Sequence, residues 1–588
     1  MLAAVLAGVI LCTAVLWMTY RTLEVKSHLS TAASLASQVK LQITAGHSPD
    51  ARNVLGQVQD HTRAARAAVN DPLWKIANRI PLLGENFNAV TEVTQAADSV
   101  VTGAGGPLLT TFDLLASGAT SPVNGVLDIA HLKEATAGVA SAAMTTENAA
   151  VRLDALDKRH LLPQISGPLN DVIQMLHDAN VQLKAGAELS TLLPSMLGSD
   201  EPRNYLILVQ NNAEVRATGG LPGALAVVRV NKGKIQLTAQ VSGKELGKFV
   251  PRVGVDQEQE LIYSTRLGAY ISDVNLTPDF PTVAQTAKAM WETRYGTPID
   301  GVVAIDPIVL GHVLKVSGPL PLPKGSDTTS SGNLPSTLTA ENVVKTLLSD
   351  VYVTMAYGEQ DQFFASAAQQ VFEAIAAGKV PVLPLINALA QSTEENRLHV
   401  WSLRDAEQRA MMSTRLGGAI SSGPDAGSGS FGVYFNDGTG AKMDYYVKRT
   451  VQLVKECPQD GNEKINVRVT SANTAPADAA ASLPTYVTGD GVYGVPPGSV
   501  QTNIIAYGPA QSDVETARLD GQQTTFAPYL HRNRPVGVIA VRLAPGESKT
   551  VEFTFGKIIQ HTEPKVVVTP GVEDVKNVIM PTKIAECG

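Results

Sequence analysis

Leu2 to Tyr20 reads LAAVLAGVILCTAVLWMTY, nineteen positions without a charged side chain. About 20 apolar residues in a helix suffice to cross a bilayer. A cleaved signal peptide would need a shorter apolar stretch and a small-x-small cleavage site, and WMTYRTLEV supplies neither. The expectation is a transmembrane signal-anchor over 1–21, with Trp17 and Tyr20 at the membrane interface. Arg21 and Lys26 follow the span, and the positive-inside rule taken literally would keep the bulk of the chain in the cytoplasm. The cysteines point the other way. Cys457 and Cys587 are the only cysteines besides Cys12, and both fall near the C-terminus. A disulfide between them makes sense only in an oxidising space, whereas two unrelated buried thiols would say nothing. The expected localisation is therefore a single-pass cell-membrane protein with its bulk extracytoplasmic, the lipid bilayer being its first partner.

The remaining chain is too long for a single core. With 44% hydrophobic and 17% charged residues it is not a disordered chain. A net charge of -8 excludes nucleic acid as the main partner, because phosphate binding rests on an excess of Lys and Arg. Over 22–197 apolar residues recur at helical spacing, as in VLGQVQDHTRAARAAV, with breakers such as SPD at Ser48 and GAGGP at Gly103. A helical stalk or bundle is expected there. Over 198–420 strands alternate with helices, which defines an α/β layered domain. GALAVVRVNKGKIQLTAQV reads as two strands joined by a Gly-containing turn. SSGPDAGSGS, near 421–430, is a linker. From 431 to 588 alternating strands and turn residues predict an antiparallel β-sandwich.

No pair of metal-ligating His or Cys at zinc spacing, no phosphate-binding loop, no nucleophile elbow and no dinucleotide fingerprint occurs. What stands out is QNNAEVRATGGLPGALAVV, beginning at Gln210. Asn211, Asn212, Arg216, Thr218, Gly219 and Gly220 crowd into one turn, with Gly223 and Arg229 close behind. Glycines let a ligand approach the backbone, their amides can form an anion nest, and a guanidinium suits phosphate. The competing reading is structural: the asparagines cap the strand end and Arg216 pairs with a carboxylate such as Glu214. Composition alone leaves both open.

That stretch, with HTRAARAAVNDPLWKIANRIPLLGEN, NDGTGAKMDYYV and LPTYVTGDGVYGVPPGSV, resembles a bacterial membrane-anchored family known as domain of unknown function 4012. The family name implies no reaction. The central domain also resembles the LytR-CpsA-Psr glycopolymer transferases. Those enzymes move cell-wall glycans from a polyprenyl-pyrophosphate carrier onto peptidoglycan. NYLILVQNNAEVRATGG is similar to their first strand and turn, with Arg216 on the family arginine. Tyr295 to Leu320 is similar to their helix–strand–helix stretch. Two departures matter. Thr218 stands where that family has an aspartate, and LLSDVYV and FFASAAQQ lack its arginines, leaving only Asp361 and Gln369. Arginines that clamp a pyrophosphate supply an electrostatic stabilisation that Phe, Ser and Ala cannot.

The resemblance implies an envelope protein that binds or handles envelope polysaccharide or its polyprenyl-pyrophosphate-linked precursor, without strong catalysis. An active glycopolymer transferase is the first alternative. It would use Arg216 and Arg229 as phosphate clamps and Asp273, Asp279 and Asp306 to hold Mg2+. A structural envelope scaffold is the second.

Overall fold

One helix, α1 (Leu2–Thr44), carries the uncharged run and continues unbroken through Arg21, Glu24 and Lys26. The computed structural model describes residues 2–44, 48–81, 83–116, 122, 125–322, 334–420, 429–457, 463–558 and 563–585. Among the described residues, no helix is long and apolar enough to cross a membrane. This overturns the expected transmembrane signal-anchor over 1–21 and the single-pass localisation drawn from it. The physical reason lies in what the end of the run touches. Trp17 donates its indole N–H to Asp71 at 3.1 Å, and Arg21 lies over the Trp17 ring while pairing with Glu24 and Asp71. Met18, Val25 and Leu29 pack with Ala68, Val69 and Trp74. Of the two side chains assigned to a lipid interface, Trp17 is tied to a protein carboxylate, and the helix beyond it packs into a protein core.

The chain divides into two units, 1–121 with 127–195 and 122–126 with 196–588. The first is helical: α2 (Ser48–Val69), α3 (Pro72–Ala77), α4 (Gly84–Val100), α5 (Gly106–Ala116), α6 (Ile129–Asp154) and α7 (Pro163–Met196) follow α1. Asp71 starts α3 by accepting the Leu73 N–H, with Pro72 at the first helical position. Small residues form the seams. Ala89, Ala96 and Ala149 lie buried against Leu153, Leu169 and Ile173.

The second unit holds a five-stranded sheet in the order β3-β2-β1-β4-β7. Its strands are β1 (Arg203–Asn211), β2 (Leu221–Asn231), β3 (Lys234–Ser242), β4 (Gly301–Ile305) and β7 (His399–Ser402). Only the β1–β4 pair is parallel. The β2–β3 hairpin turns at Lys232 and Gly233, both at positive φ, as a two-residue hairpin loop of this hand requires. Leu206 and Leu208 alternate inward and meet Phe280, Ala284, Ala287 and Trp291 of α9 (Phe280–Tyr295). Helices α8 (Gln257–Tyr263), α10 (Pro307–Ser317), α11 (Val343–Lys345), α12 (Val351–Thr354), α13 (Tyr357–Ala376), α14 (Val382–Glu394) and α15 (Asp405–Met412) complete the layer. A short hairpin of β5 (Leu320–Pro321) and β6 (Thr337–Leu338) accompanies them.

Two further sheets face each other from Ser430 onward. One has the order β14-β15-β11-β8-β17, the other β13-β12-β16-β10-β9-β18. Their strands are β8 (Ser430–Asp437), β9 (Val447–Lys455), β10 (Glu463–Asn473), β11 (Val500–Tyr507), β12 (Asp513–Leu519), β13 (Gln522–Thr524), β14 (Ala527–His531), β15 (Arg534–Leu543), β16 (Ser548–Ile558), β17 (Lys565–Val568) and β18 (Lys583–Ile584). Phe431, Phe435, Val467, Phe553 and Phe555 fill the space between them. The sheets are mixed, which corrects the expected antiparallel sandwich: β17 joins β8 in parallel and β18 joins β9 in parallel. Both parallel strands come from the last part of the chain, which returns to strands already paired.

Cys457 is disulfide-bonded. The expected partner, Cys587, lies outside the described residues. The register of β18 nonetheless sets Ile584 beside Lys455, whose carbonyl accepts the Ala585 N–H at 2.8 Å. Cys457 follows Lys455 by two positions in the sequence, and position 587 follows Ile584 by three. Peptide mapping without reductant is expected to recover Cys457 linked to Cys587. In the chain-entropy model a closed loop of roughly 130 residues contributes about 4–5 kcal/mol. A Cys457→Ser protein that unfolds at the same denaturant concentration as the parent would contradict that contribution.

Candidate functional site

The loop between β1 and β2 holds most of the residues singled out in the sequence. β1 is irregular where it meets the loop: its register against β2 shifts between Val209 and Gln210. The chain then leaves the sheet at Asn211 and returns at Leu221. The Asn211 side-chain carbonyl accepts the Ala213 N–H at 3.0 Å, an Asx turn, and its amide donates to the Tyr352 hydroxyl. Asn212 donates to Asp306 at 3.1 Å and to the Pro570 carbonyl at 3.4 Å.

The middle of the loop enters the β-sandwich. Val215 is a member of the sandwich core, beside Phe431, Phe435 and Val451. Its N–H donates to Asp444 at 3.0 Å, and its carbonyl accepts the Asp437 N–H at 2.9 Å. Ala217 packs with Tyr434 and Tyr507. Its N–H donates to Asn436 at 2.9 Å, and its carbonyl accepts the Thr569 hydroxyl at 2.9 Å. The loop therefore acts as a plug from the α/β layer into the sandwich.

Charge surrounds the plug. Arg216 is 5% exposed. It donates to Glu214 at 3.0 Å, to Asp273 at 3.4 Å and to the Val215 carbonyl at 3.0 Å. Its Nε has no acceptor among the described residues, so its charge is met through the two Nη atoms. Glu214 is also held by Lys442 at 2.5 Å, and Asp273 by Arg266 at 2.8 Å. Asp444 pairs with Arg449 at 2.5 Å. Burial works against ionisation of Glu214, but Lys442 and Arg216 hold its carboxyl below the usual range. The glycines serve the chain itself. Gly219 has φ 137, and a side chain there would strike Gln210. One at Gly220 would lie 2.2 Å from the Asn211 carbonyl carbon. The open approach read from the sequence is filled by the protein's own backbone.

The remaining sequence candidates fall apart in space. Arg229 is exposed on β2 opposite Asn204, the start of β1, so seven residues of strand, roughly 23 Å at 3.3 Å each, separate it from the plug. Asp273, Asp279 and Asp306 do not converge. Asp273 serves Arg216 and Arg266, as described. Asp279 accepts from Thr282 at 2.7 Å and Arg532 at 3.5 Å. Asp306 caps α10 and pairs with Arg397 at 2.8 Å. Among the described residues, no group of three or more His, Cys, Asp and Glu is placed to hold a metal ion. The Asp361 and Gln369 side chains are exposed on α13, and Gln369 donates to Glu373 on the same helix.

Four functional neighbours of the plug escaped the sequence reading. Asp437, Lys442 and Asp444 lie in NDGTGAKMDYYV, a motif noted there but given no role. Arg397, 1% exposed, pairs with Asp306 and Glu395 and donates to the carbonyls of Gly571 and Glu573 at 2.9 Å each. Nothing local in RLHVWSL signals that role.

Residues 200–352, from just before β1 into α12, match the model of a family described as a protein of unknown function, DUF4012. The matched stretch contains the whole plug, and its description states no reaction. No curated protein matches the chain.

Asp437 is the exception in this network. Its carboxylate accepts the Thr439 and Gly440 N–H groups at 2.9 and 2.6 Å, but no cation pairs with it among the described residues. Burial, then the negative Asp444 and Glu214, push it up to about 7, against the pull of Arg216. The folded state thus keeps a proton that the unfolded chain releases near the ordinary value of 3.8. Stability from this group falls as pH rises from about 4 to 7. Glu214, depressed, works in the opposite direction below its ordinary range. Denaturant midpoints measured from pH 5 to 8 are expected to decline more steeply in the parent than in Asp437→Asn. Parallel curves would show that Asp437 titrates normally.

Proposed function

We propose that residues 196–588 form a non-catalytic scaffold, in which the β1–β2 plug fixes the α/β layer to the β-sandwich and the protein acts through its surfaces. The observation that carries this is Arg216: the candidate phosphate clamp is buried and held between Glu214 and Asp273. A guanidinium already neutralised by two carboxylates offers little to a pyrophosphate. The cavity beside the plug, lined by Ala217 and Thr218, is about 50 Å3. A site for a lipid-linked glycan would need several hundred Å3. Asp361 and Gln369, the remnants of the arginine-rich segment, are exposed on α13, where Gln369 donates to Glu373. Likeness to the LytR-CpsA-Psr transferases is compatible with this reading as a shared fold without the shared chemistry.

Arg216→Ala separates the readings. In a scaffold it leaves Glu214 and Asp273 buried with one cation fewer, and the unit should lose about 3–5 kcal/mol in denaturant unfolding. Calorimetric titration of the parent with a soluble prenyl-pyrophosphate analogue should show no saturable binding. Saturable binding by the parent, abolished in an Arg216→Ala protein that melts normally, would overturn the scaffold in favour of a ligand site.

A further inference from the structure

Arg534 begins β15 and is 7% exposed. Its Nε donates to the Gly508 carbonyl at 3.0 Å, Nη1 to Ile420 at 3.1 Å and Nη2 to Ser430 at 2.9 Å. Its guanidinium also lies 5.4 Å from the centre of the Tyr507 ring. Every contact is neutral, and no carboxylate lies within ion-pair distance of it among the described residues. Buried charges are ordinarily paired, because desolvation is costly otherwise. Asp279 accepts the Ile420 N–H nearby, but Thr282 and Arg532 already engage it.

Arg534 lines the cavity of about 50 Å3 introduced above. Among the described residues, the other polar ones around it are Thr218, Asn396, His399, Thr414, Arg415 and Tyr434, and no Asp or Glu lines it. Arg415, at the same cavity, pairs outward with Glu394 at 2.6 Å. Thr218 adds a donor. Its oxygen accepts from the side-chain amides of Gln210 and Asn275 at 3.0 and 3.1 Å. With both lone pairs used, the hydroxyl hydrogen is left to give, and no acceptor for it exists among the described residues. Ile420, Val567 and Pro570 supply an apolar wall that strengthens any charge interaction inside. The volume exceeds what one water needs and suits one small anion.

We propose that this cavity is a binding site for a small monovalent anion, a halide or a small carboxylate, that neutralises Arg534 and accepts the Thr218 hydroxyl. The anion is a structural ligand: it completes the junction between the α14–β7 side of the α/β layer and the sandwich strands β8, β15 and β17. This goes beyond the scaffold reading and stands on different residues from Arg216.

The test is thermal unfolding of the full chain in sodium chloride and sodium acetate against sodium gluconate at equal ionic strength, gluconate being too large for the cavity. Chloride, acetate or both should raise Tm saturably, by several degrees at a hundredfold excess over Kd, as mass action requires. Ala419→Leu, which fills the cavity from its wall, should remove the anion-specific rise while unfolding cooperatively in gluconate. Chloride-35 NMR of the unmodified protein gives a readout independent of variants: line broadening in excess of gluconate-dialysed controls, relieved by acetate if both share the site. A rise in one salt alone assigns the site to halide or to carboxylate. Equal Tm in all three salts, a rise that persists unchanged in Ala419→Leu, or no excess chloride broadening together with no acetate effect would overturn the proposal.

Discussion

Glu214 stands between Arg216 and Lys442, and the architecture of residues 196–588 depends on that arrangement. Arg216 belongs to the α/β layer's own loop, whereas Lys442 comes from the sandwich, 228 residues beyond Glu214. One carboxylate thus ties two layers whose sheets share no hydrogen-bonded edge. Because all three groups are buried, none can be removed alone without leaving a charge in a low-dielectric interior. The pairing also sets the path of the backbone. With Glu214 and Arg216 held on either side, Val215 has to point into the sandwich core, where its burial adds apolar contact to the electrostatic tie.

Local patterns suffice at the β2–β3 hairpin and at the start of α3. The NKGK turn and its flanking alternation are a hairpin because Lys232 and Gly233 adopt the conformation that composition suggests. Asp71 and Pro72 open α3 for similarly local reasons. Hydropathy misled at the N-terminus because it counts apolar side chains without showing what they meet. Trp17 and Arg21 meet Asp71, fifty or so residues away, and that carboxylate is invisible to any window drawn on the run itself. The sandwich misled in a related way. Alternation reveals strands but not direction, and β17 and β18 close their sheets in parallel.

The plug was conspicuous in the sequence, but its purpose was not. Two asparagines, an arginine and closely spaced glycines signal an unusual turn. Their partners are Asp273, Asp306, Asn436, Lys442, Asp444 and Thr569, separated from the loop by between 57 and 352 residues. A ligand site and an interlayer joint ask for the same residue types, since both need donors, a forked cation and a tightly folded backbone. Only the three-dimensional positions of the acids decide which of the two the sequence encodes. Arg397 and Arg534 illustrate the converse: each is central in space and unremarkable in its own segment.

The stretch after β17 carries a consequence for how this protein is made. Thr569, Pro570, Gly571 and Glu573 supply acceptors or donors to Ala217, Asn212 and Arg397, up to 358 positions earlier. A chain leaving the ribosome exposes Arg397 long before Gly571 and Glu573 exist. During that interval Arg397 has Asp306 and Glu395 to pair with, but lacks the carbonyls of Gly571 and Glu573. Until those carbonyls are made, the joint between the layer and the sandwich is unsealed, and exposed surface of this kind invites aggregation or chaperones. Sealing that joint needs contacts so distant along the chain that they must overcome a large loop-closure entropy before they form. Translation speed through the sandwich, more than the sequence of the α/β layer, sets how long that layer waits.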